Sequence, residues 1–279
     1  MILPRLPDAE LDRLLAEDAP HGDLTTLSLG IGERAGAMVF RARADMVLAC
    51  SEEAARLLEL AGATVTSVRP SGSILAAGET LLEAHGPAGA LLMGWKVAQT
   101  LVEATSGIAG ATRRMVEAAR AVSPHIAVAC TRKTFPGTKS LAIKAIMAGG
   151  AMPHRLGLSE TVLLFPEHRA LAPDQGFAAL IGRLKAACPE KRIVVEVKDA
   201  AEADSACAAG ADVVQLEKFT PAQVAMVVER IGEACVVAAA GGVNAANAAD
   251  YARAGARVLV TSSPYWAPPA DVAVTISGA

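Results

Sequence analysis

The chain has 279 residues, 52% of them hydrophobic and 20% charged, with a formal net charge of −3. That apolar content excludes a disordered chain. The slightly acidic balance excludes a general binder of nucleic acid or anionic membrane, whose phosphate contacts demand a basic excess. Aromatics make up only 3%, so a core of this size has to be packed with Ala, Val, Leu and Ile.

The first segment, Met1–Glu10, carries Pro4, Arg5, Pro7 and Asp8 and lacks the apolar stretch of a signal peptide. No apolar run approaches the roughly 20 residues of a membrane helix. The five cysteines, Cys50, Cys130, Cys188, Cys207 and Cys235, are scattered and never form a CxxC pair, which fits reduced thiols. The expectation is a soluble cytoplasmic protein.

In chain order, Asp8–Glu17 reads as a short helix, followed by a polar loop and strand-like pieces at Gly36–Arg43 and Ala63–Arg69. Ser51 opens a second helix whose first turn holds Glu52 and Glu53, where negative charge suits the helix dipole. Ala88 to about Ala121 is helical in composition, and Gly107 and Gly110 are expected to break it in two. From His125 a repeat sets in. Short β-rich runs at Ile126–Cys130, Thr161–Phe165, Ile193–Val197, Val213–Leu216, Cys235–Ala239 and Val258–Thr261 alternate with helical segments. Those segments are Gly137–Ala148, Gly176–Ala187, Ala200–Ala209, Pro221–Ile231 and Asn244–Ala254. Such βα alternation predicts a parallel sheet with helices outside. The reading is therefore α/β. An N-terminal α/β sandwich domain covers residues 1–105, with the tail from about 268 to 279 able to rejoin it. An incomplete parallel α/β barrel of six or seven strands covers 106–267.

Polar residues follow the apolar runs. Thr131-Arg132-Lys133-Thr134 follows the first, Glu196 lies inside the third, Glu217 ends the fourth, Gly241-Gly242 follows the fifth, and Thr261-Ser262-Ser263 ends the last. In a parallel barrel these ends share one face, where barrel enzymes place their chemistry. Gly-Gly and a hydroxyl cluster suit a phosphate cradle, the helix beginning at Asn244 adding its dipole. Two carboxylates are able to hold Mg²⁺ and ribose hydroxyls. Arg132, Lys133, His154 and Arg155 suit an acidic substrate or pyrophosphate. Bland readings stand beside these: Gly-Gly as a mere turn, Glu196 as a paired structural carboxylate, and His21, His85, His125 and His168 as surface histidines. No ligand pair has the spacing of a helical zinc motif.

The ordered set Thr131-Arg132-Lys133-Thr134-x-Pro136-Gly137, Gly149-Gly150 and His154-Arg155-x-Gly157-Leu158 resembles the signature of quinolinate phosphoribosyltransferases, the nicotinate-nucleotide pyrophosphorylases. The likeness continues through Gly22-Asp23-Leu24-Thr25-Thr26, Ser106-Gly107-Ile108-Ala109 and Gly241-Gly242-Val243-Asn244, and so spans nearly the whole chain. Thr131–Lys139, His154–Leu158 and Phe165-Pro166-Glu167-His168 resemble in particular the ModD branch, a pyrophosphorylase branch associated with molybdate transport. The resemblance implies a homodimer, 5-phosphoribosyl 1-pyrophosphate (PRPP) and Mg²⁺. It implies that Arg132 and Lys133 act on the pyrophosphate side, with Thr131, His154 and Arg155 binding substrate there. Glu196 and Glu217 fall where the ribose and metal are held, and Gly241, Gly242, Ser262 and Ser263 at the 5′-phosphate.

Four positions depart from the family pattern. Phe165 stands where the family has a Lys beside the acid-binding site, and Lys96 where a partner subunit donates an Arg. Glu217 replaces an Asp, and Ala238 an acidic residue ahead of Gly-Gly. Losing the Lys removes a charge-assisted bond worth about 1.5–3 kcal/mol, or about ten- to a hundredfold in affinity for a dicarboxylate. The expected reaction is transfer of phosphoribosyl from PRPP to a ring nitrogen of a heterocycle other than quinolinate. The alternatives are an authentic, decarboxylating quinolinate enzyme, or a non-catalytic phosphosugar or oxyanion binder tied to molybdate uptake.

Overall fold

In the computed structural model, which describes residues 3–278, the polypeptide contributes alternately to two units. The first comprises the chain up to Arg113, then Phe135–Gly150, then the segment from Tyr265. The second comprises Arg114–Thr134 and Ala151–Pro264.

A four-stranded antiparallel sheet frames the first unit, in the order Val272–Gly278, Ala35–Ala42, Thr80–Pro87, Thr64–Val68. The C-terminal tail thus rejoins the N-terminal sheet, with Met38 opposite Ile276. Period-2 burial along Ala35–Ala42 sends Met38, Phe40 and Ala42 inward, against Leu57 and Leu58 of the helix Ser51–Leu60. That helix begins after Cys50, a non-glycine residue at φ 55° whose thiol is pushed by burial up to about 12.

The first turn of Ser51–Leu60 carries a buried charge clasp. Lys144, on the helix Lys139–Ala148, is 1% exposed and places Nζ 2.7 and 2.5 Å from the two carboxylate oxygens of Glu53, itself 3% exposed. A third contact, 2.9 Å, reaches Glu52. Burial opposes the Lys144 charge, but the bonds to Glu53 and Glu52 outweigh it and hold the ammonium above its ordinary range. Burial likewise opposes the Glu52 carboxylate, yet bonds from Ser71 and Lys144 hold it at about 2.

The helix Ala88–Arg120 runs unbroken for 33 residues, against the expected division at Gly107 and Gly110. A helical glycine costs only about 1 kcal/mol, which tertiary packing readily offsets. At Gly107 the reason for glycine is contact: a Cβ there would lie 2.2 Å from the Pro268 carbonyl oxygen.

The second unit is built on seven parallel strands. Their spatial order is Met152–Pro153, Ala127–Cys130, Val258–Thr261, Val236–Ala240, Val213–Glu217, Ile193–Val197, Val162–Leu164. Met152–Pro153 and Val162–Leu164 are free edges, so the barrel stays open. The two-residue strand Met152–Pro153 escapes pattern reading because it is short and holds a proline, which sheets accept at edges. The helix expected at Asn244–Ala254 is confined to Ala248–Arg253. The helix Lys139–Ala148, which the sequence placed in the barrel rhythm, belongs to the first unit.

Strand register sorts the side chains. Val195, Val197, Val214, Leu216, Val237, Ala239 and Leu259 fall on one face and are buried. The opposite parity carries Glu196, Gln215, Glu217, Ala238, Ala240, Val258 and Val260. Small alanines beside three polar residues leave that face unfilled, and there a cavity opens.

Candidate active site

The cavity has a volume of about 580 Å³ and lies wholly within the second unit. Its lining brings together Thr131, Arg132, Lys133, His154, Arg155, Phe165, Glu196, Glu217, Gly241, Gly242, Ser262 and Ser263, every residue given a catalytic or binding role from the sequence except Lys96. Lys96 belongs to the first unit, where Nζ sits 4.2 Å from the Trp95 ring centroid, donates to Gln99 and borders a separate cavity of about 760 Å³.

The cationic wall is shaped by two short strands. Thr131 follows Ala127–Cys130, and the Thr131 N–H donates to the Thr261 carbonyl, continuing the ladder. The His154 N–H donates to the Cys130 carbonyl at 2.8 Å, which draws His154 and Arg155 beside Thr131 and Arg132. Burial and the neighbouring Arg155 push the His154 imidazole below its usual range. Arg155 is 7% exposed; burial and the nearby Arg132 both disfavour its charge. Neither Arg132, Lys133 nor Arg155 has an ion-pair partner among the described residues. Clustered cations without carboxylate partners form a receptor for anions.

Phe165 follows the strand Val162–Leu164, at the N-cap of the helix Pro166–Ala170, and lines the cavity with its ring 5.5 Å from the Arg155 guanidinium. The ring also stacks on His168, 5.8 Å between centroids, while the Phe165 N–H donates to His168 Nδ1. Phe165 therefore presents an apolar, flat surface in place of a charge and covers part of the guanidinium face.

Across the cavity stand two carboxylates. Burial raises the Glu196 pKa, and the nearby Glu217 charge raises it further, while Gln215 and Lys133 oppose the rise. Two carboxylates close enough to feel each other are hard oxygen donors of the type a divalent cation takes. No group of three or more His, Cys, Asp or Glu side chains suited to a metal occurs among the described residues.

The glycine loop is built for close approach. Gly241 and Gly242 have φ of 81° and 89°, and a Cβ on Gly241 would meet Lys218 Cγ at 2.7 Å and Glu217 Oε1 at 2.8 Å. The adjacent Lys218 also holds positive φ, 62°, and its N–H donates to the Ala240 carbonyl at 2.8 Å. Asn244 and Asn247 each donate from Nδ2 to the Gly242 carbonyl at 3.1 Å. These bonds occupy the segment where a helix start was expected, so the loop alone, without a helix dipole, forms this side. Thr261 Oγ1 donates to the Val243 carbonyl at 2.6 Å and accepts the Ser263 N–H at 3.0 Å, joining the two loops.

Sequence reading passed over Gln215 and Leu163, which also line the cavity. Gln215 had a legible signal: a carboxamide inside an otherwise apolar strand, Val-Val-Gln-Leu.

An open parallel α/β barrel whose strand ends surround an anion-receptive cavity is the arrangement in which barrel enzymes place their chemistry. Two family descriptions match the chain: "Quinolinate phosphoribosyl transferase, N-terminal domain" over residues 23–106 and "Quinolinate phosphoribosyl transferase, C-terminal domain" over 108–275. The chain belongs to the quinolinate phosphoribosyltransferase family, a phosphoribosyltransferase kind of enzyme. It is 53% identical over 254 residues to "Putative pyrophosphorylase ModD" of Rhodobacter capsulatus, covering 90% of this chain and 98% of that protein. To "Probable nicotinate-nucleotide pyrophosphorylase [carboxylating]" of Archaeoglobus fulgidus it is 32% identical over 238 residues, 84% and 89% of the two chains. NadC from Streptococcus pyogenes superposes with a TM-score of 0.90 at 25% identity, with 99% of each chain covered. Among the described residues no helix is long and apolar enough to cross a membrane.

Proposed function

We propose that this chain transfers the phosphoribosyl group of PRPP to a ring nitrogen of an aromatic heterocycle other than quinolinate, releasing pyrophosphate. The supporting observation is the single cavity that combines Arg132, Lys133 and Arg155 with Glu196, Glu217 and the Gly241–Gly242 loop. In this reaction the bond from the anomeric carbon to pyrophosphate breaks with its electrons on oxygen, and the ring nitrogen's lone pair forms the new C–N bond. Positive charge develops at the anomeric carbon, where Glu196 and Glu217 stabilise it. Arg132 and Lys133 neutralise the leaving pyrophosphate, Gly241, Gly242, Ser262 and Ser263 receive the 5′-phosphate, and Thr131, His154 and Arg155 orient the acceptor's acidic group. Glu196 and Glu217 would hold Mg²⁺, which supplies charge neutralisation on the diphosphate when bound.

Phe165 separates this reading from an authentic quinolinate enzyme, because it offers a flat apolar wall where a second carboxylate would need a cation. The proposal includes a cytoplasmic homodimer in which Lys96 completes the partner's cavity, and a role beside molybdate uptake. Enzyme, PRPP, Mg²⁺ and a panel of heterocyclic acids should release pyrophosphate without carbon dioxide. Silence across the panel, with saturable anion binding retained, would transfer the assignment to a non-catalytic binder. Carbon dioxide from quinolinate would transfer it to the decarboxylating enzyme.

A further inference from the structure

Gln215 sits mid-strand in Val213–Glu217, in register with Glu196 on one side and Ala238 on the other. Its side chain lines the cavity yet the residue is only 4% exposed. Nε2 donates to Glu196 Oε2 at 2.8 Å. The carbonyl oxygen, Oε1, is buried and accepts nothing. A buried acceptor left unpaired costs free energy that an apolar side chain of the same shape would avoid. Orienting Glu196 uses only the donor half of the carboxamide and leaves the acceptor half unexplained. Ala238, in register with Gln215 on the neighbouring strand, adds neither a donor nor bulk.

We infer that Gln215 determines specificity, its side-chain carbonyl accepting a hydrogen bond from an N–H or O–H group of the bound ligand. The inference deepens the phosphoribosyl-transfer reading and, in its assignment to a substrate, rests on it. The chemistry selected is a neutral donor: an amino or amide group on the heterocycle, or a sugar hydroxyl. An anionic oxygen at this point would face a carbonyl dipole and the Glu196 carboxylate together, and is rejected. The acceptor thus carries its acidic group toward His154 and Arg155 and a donor toward the strand floor. Quinolinate, with two carboxylates and no donor, fails this requirement independently of Phe165.

The test uses calorimetry on the wild-type chain and on Gln215→Met, with Gln215→Leu as a second isostere and thermal melting to verify folding. One probe set is nicotinate against its 2-, 5- and 6-amino derivatives; the other is ribose 5-phosphate against 2-deoxyribose 5-phosphate. In the wild type the donor-bearing member of at least one set should bind about three- to tenfold tighter, the range of one neutral hydrogen bond. That preference should fall to near one in a folded variant. Preference within the first set assigns the bond to the heterocycle, within the second to the ribose. Equal affinities in the wild type, no binding by any donor-bearing probe, or a preference that survives in a folded variant each overturn the inference. A uniform loss across all probes would reduce Gln215 to a positioning residue for Glu196 and also overturn it. PRPP binding and pyrophosphate release by the wild type are scored separately. Turnover without discrimination sinks this inference alone, and discrimination without PRPP binding sinks the transferase reading alone.

Discussion

Replacing Lys144 by Met removes the cation from the clasp in the first unit while keeping most of the side chain's volume. Glu53, 3% exposed, then retains one N–H donor, that of Leu6 at 3.4 Å. Breaking a buried pair by deleting one partner costs about 3–5 kcal/mol, because the remaining charge is uncompensated. Against a total stability of about 5–15 kcal/mol that is a large fraction. Guanidinium denaturation followed by circular dichroism at neutral pH should show the loss. A Lys144→Met/Glu53→Leu double variant should recover much of it, since an apolar pair of similar volume is often neutral or better. The pH dependence has a definite sign. Glu52, lowered from 4.5 to about 2, contributes stability above about pH 4.5 that is lost as pH falls toward 2. Lys144, raised above 10.5, contributes stability below that pH that is lost as pH rises past its folded value. The wild-type advantage over Lys144→Met should be flat between these limits and collapse at both ends. A Lys144→Met protein within about 1 kcal/mol of wild type at pH 7, or a double variant no better than the single, would refute the reasoning.

Glu217→Gln removes the like charge that helps raise Glu196, so the onset of Glu196 ionisation, followed by carboxyl NMR titration, should move to lower pH. An unmoved onset would mean that burial alone governs Glu196. Phe165→Lys should tighten quinolinate binding about tenfold, one charge-assisted bond, and unchanged calorimetry would defeat the charge argument. Gly107→Ala forces a Cβ to within 2.2 Å of a backbone oxygen and should lower stability by more than about 2 kcal/mol; a chemical-denaturation midpoint equal to wild type would contradict the packing described for Ala88–Arg120.

Much of the architecture was legible because it is written in local chemistry. Ile193–Val197, Pro221–Ile231 and Val258–Thr261 fall where the apolar runs and the helix-forming segment between them put them, since strand burial and helix composition are decided within a few residues. The cavity-lining residues were legible too, because every parallel strand ends at the same face. What the local pattern misjudged was set by distant neighbours. Gly107 reads as a helix break until the Pro268 carbonyl is seen against it, and Lys139–Ala148 reads as a barrel helix until Lys144 is seen clasped to Glu53. Met152–Pro153 has no pattern of its own and exists only because Ala129 and Cys130 offer it an edge.

By itself the amino-acid order determined the alternation of strands and helices and the identity of the charged groups at the strand ends, because periodicity and side-chain chemistry are properties of short segments. Only the tertiary structure decided which of those groups feel each other. The rise of Glu196 by burial and beside the Glu217 charge, the apolar cover of Phe165 on Arg155, and the unpaired Gln215 carbonyl all arise from residues far apart in the chain. Electrostatic coupling and desolvation depend on separation and burial in space, and neither quantity is carried by sequence distance.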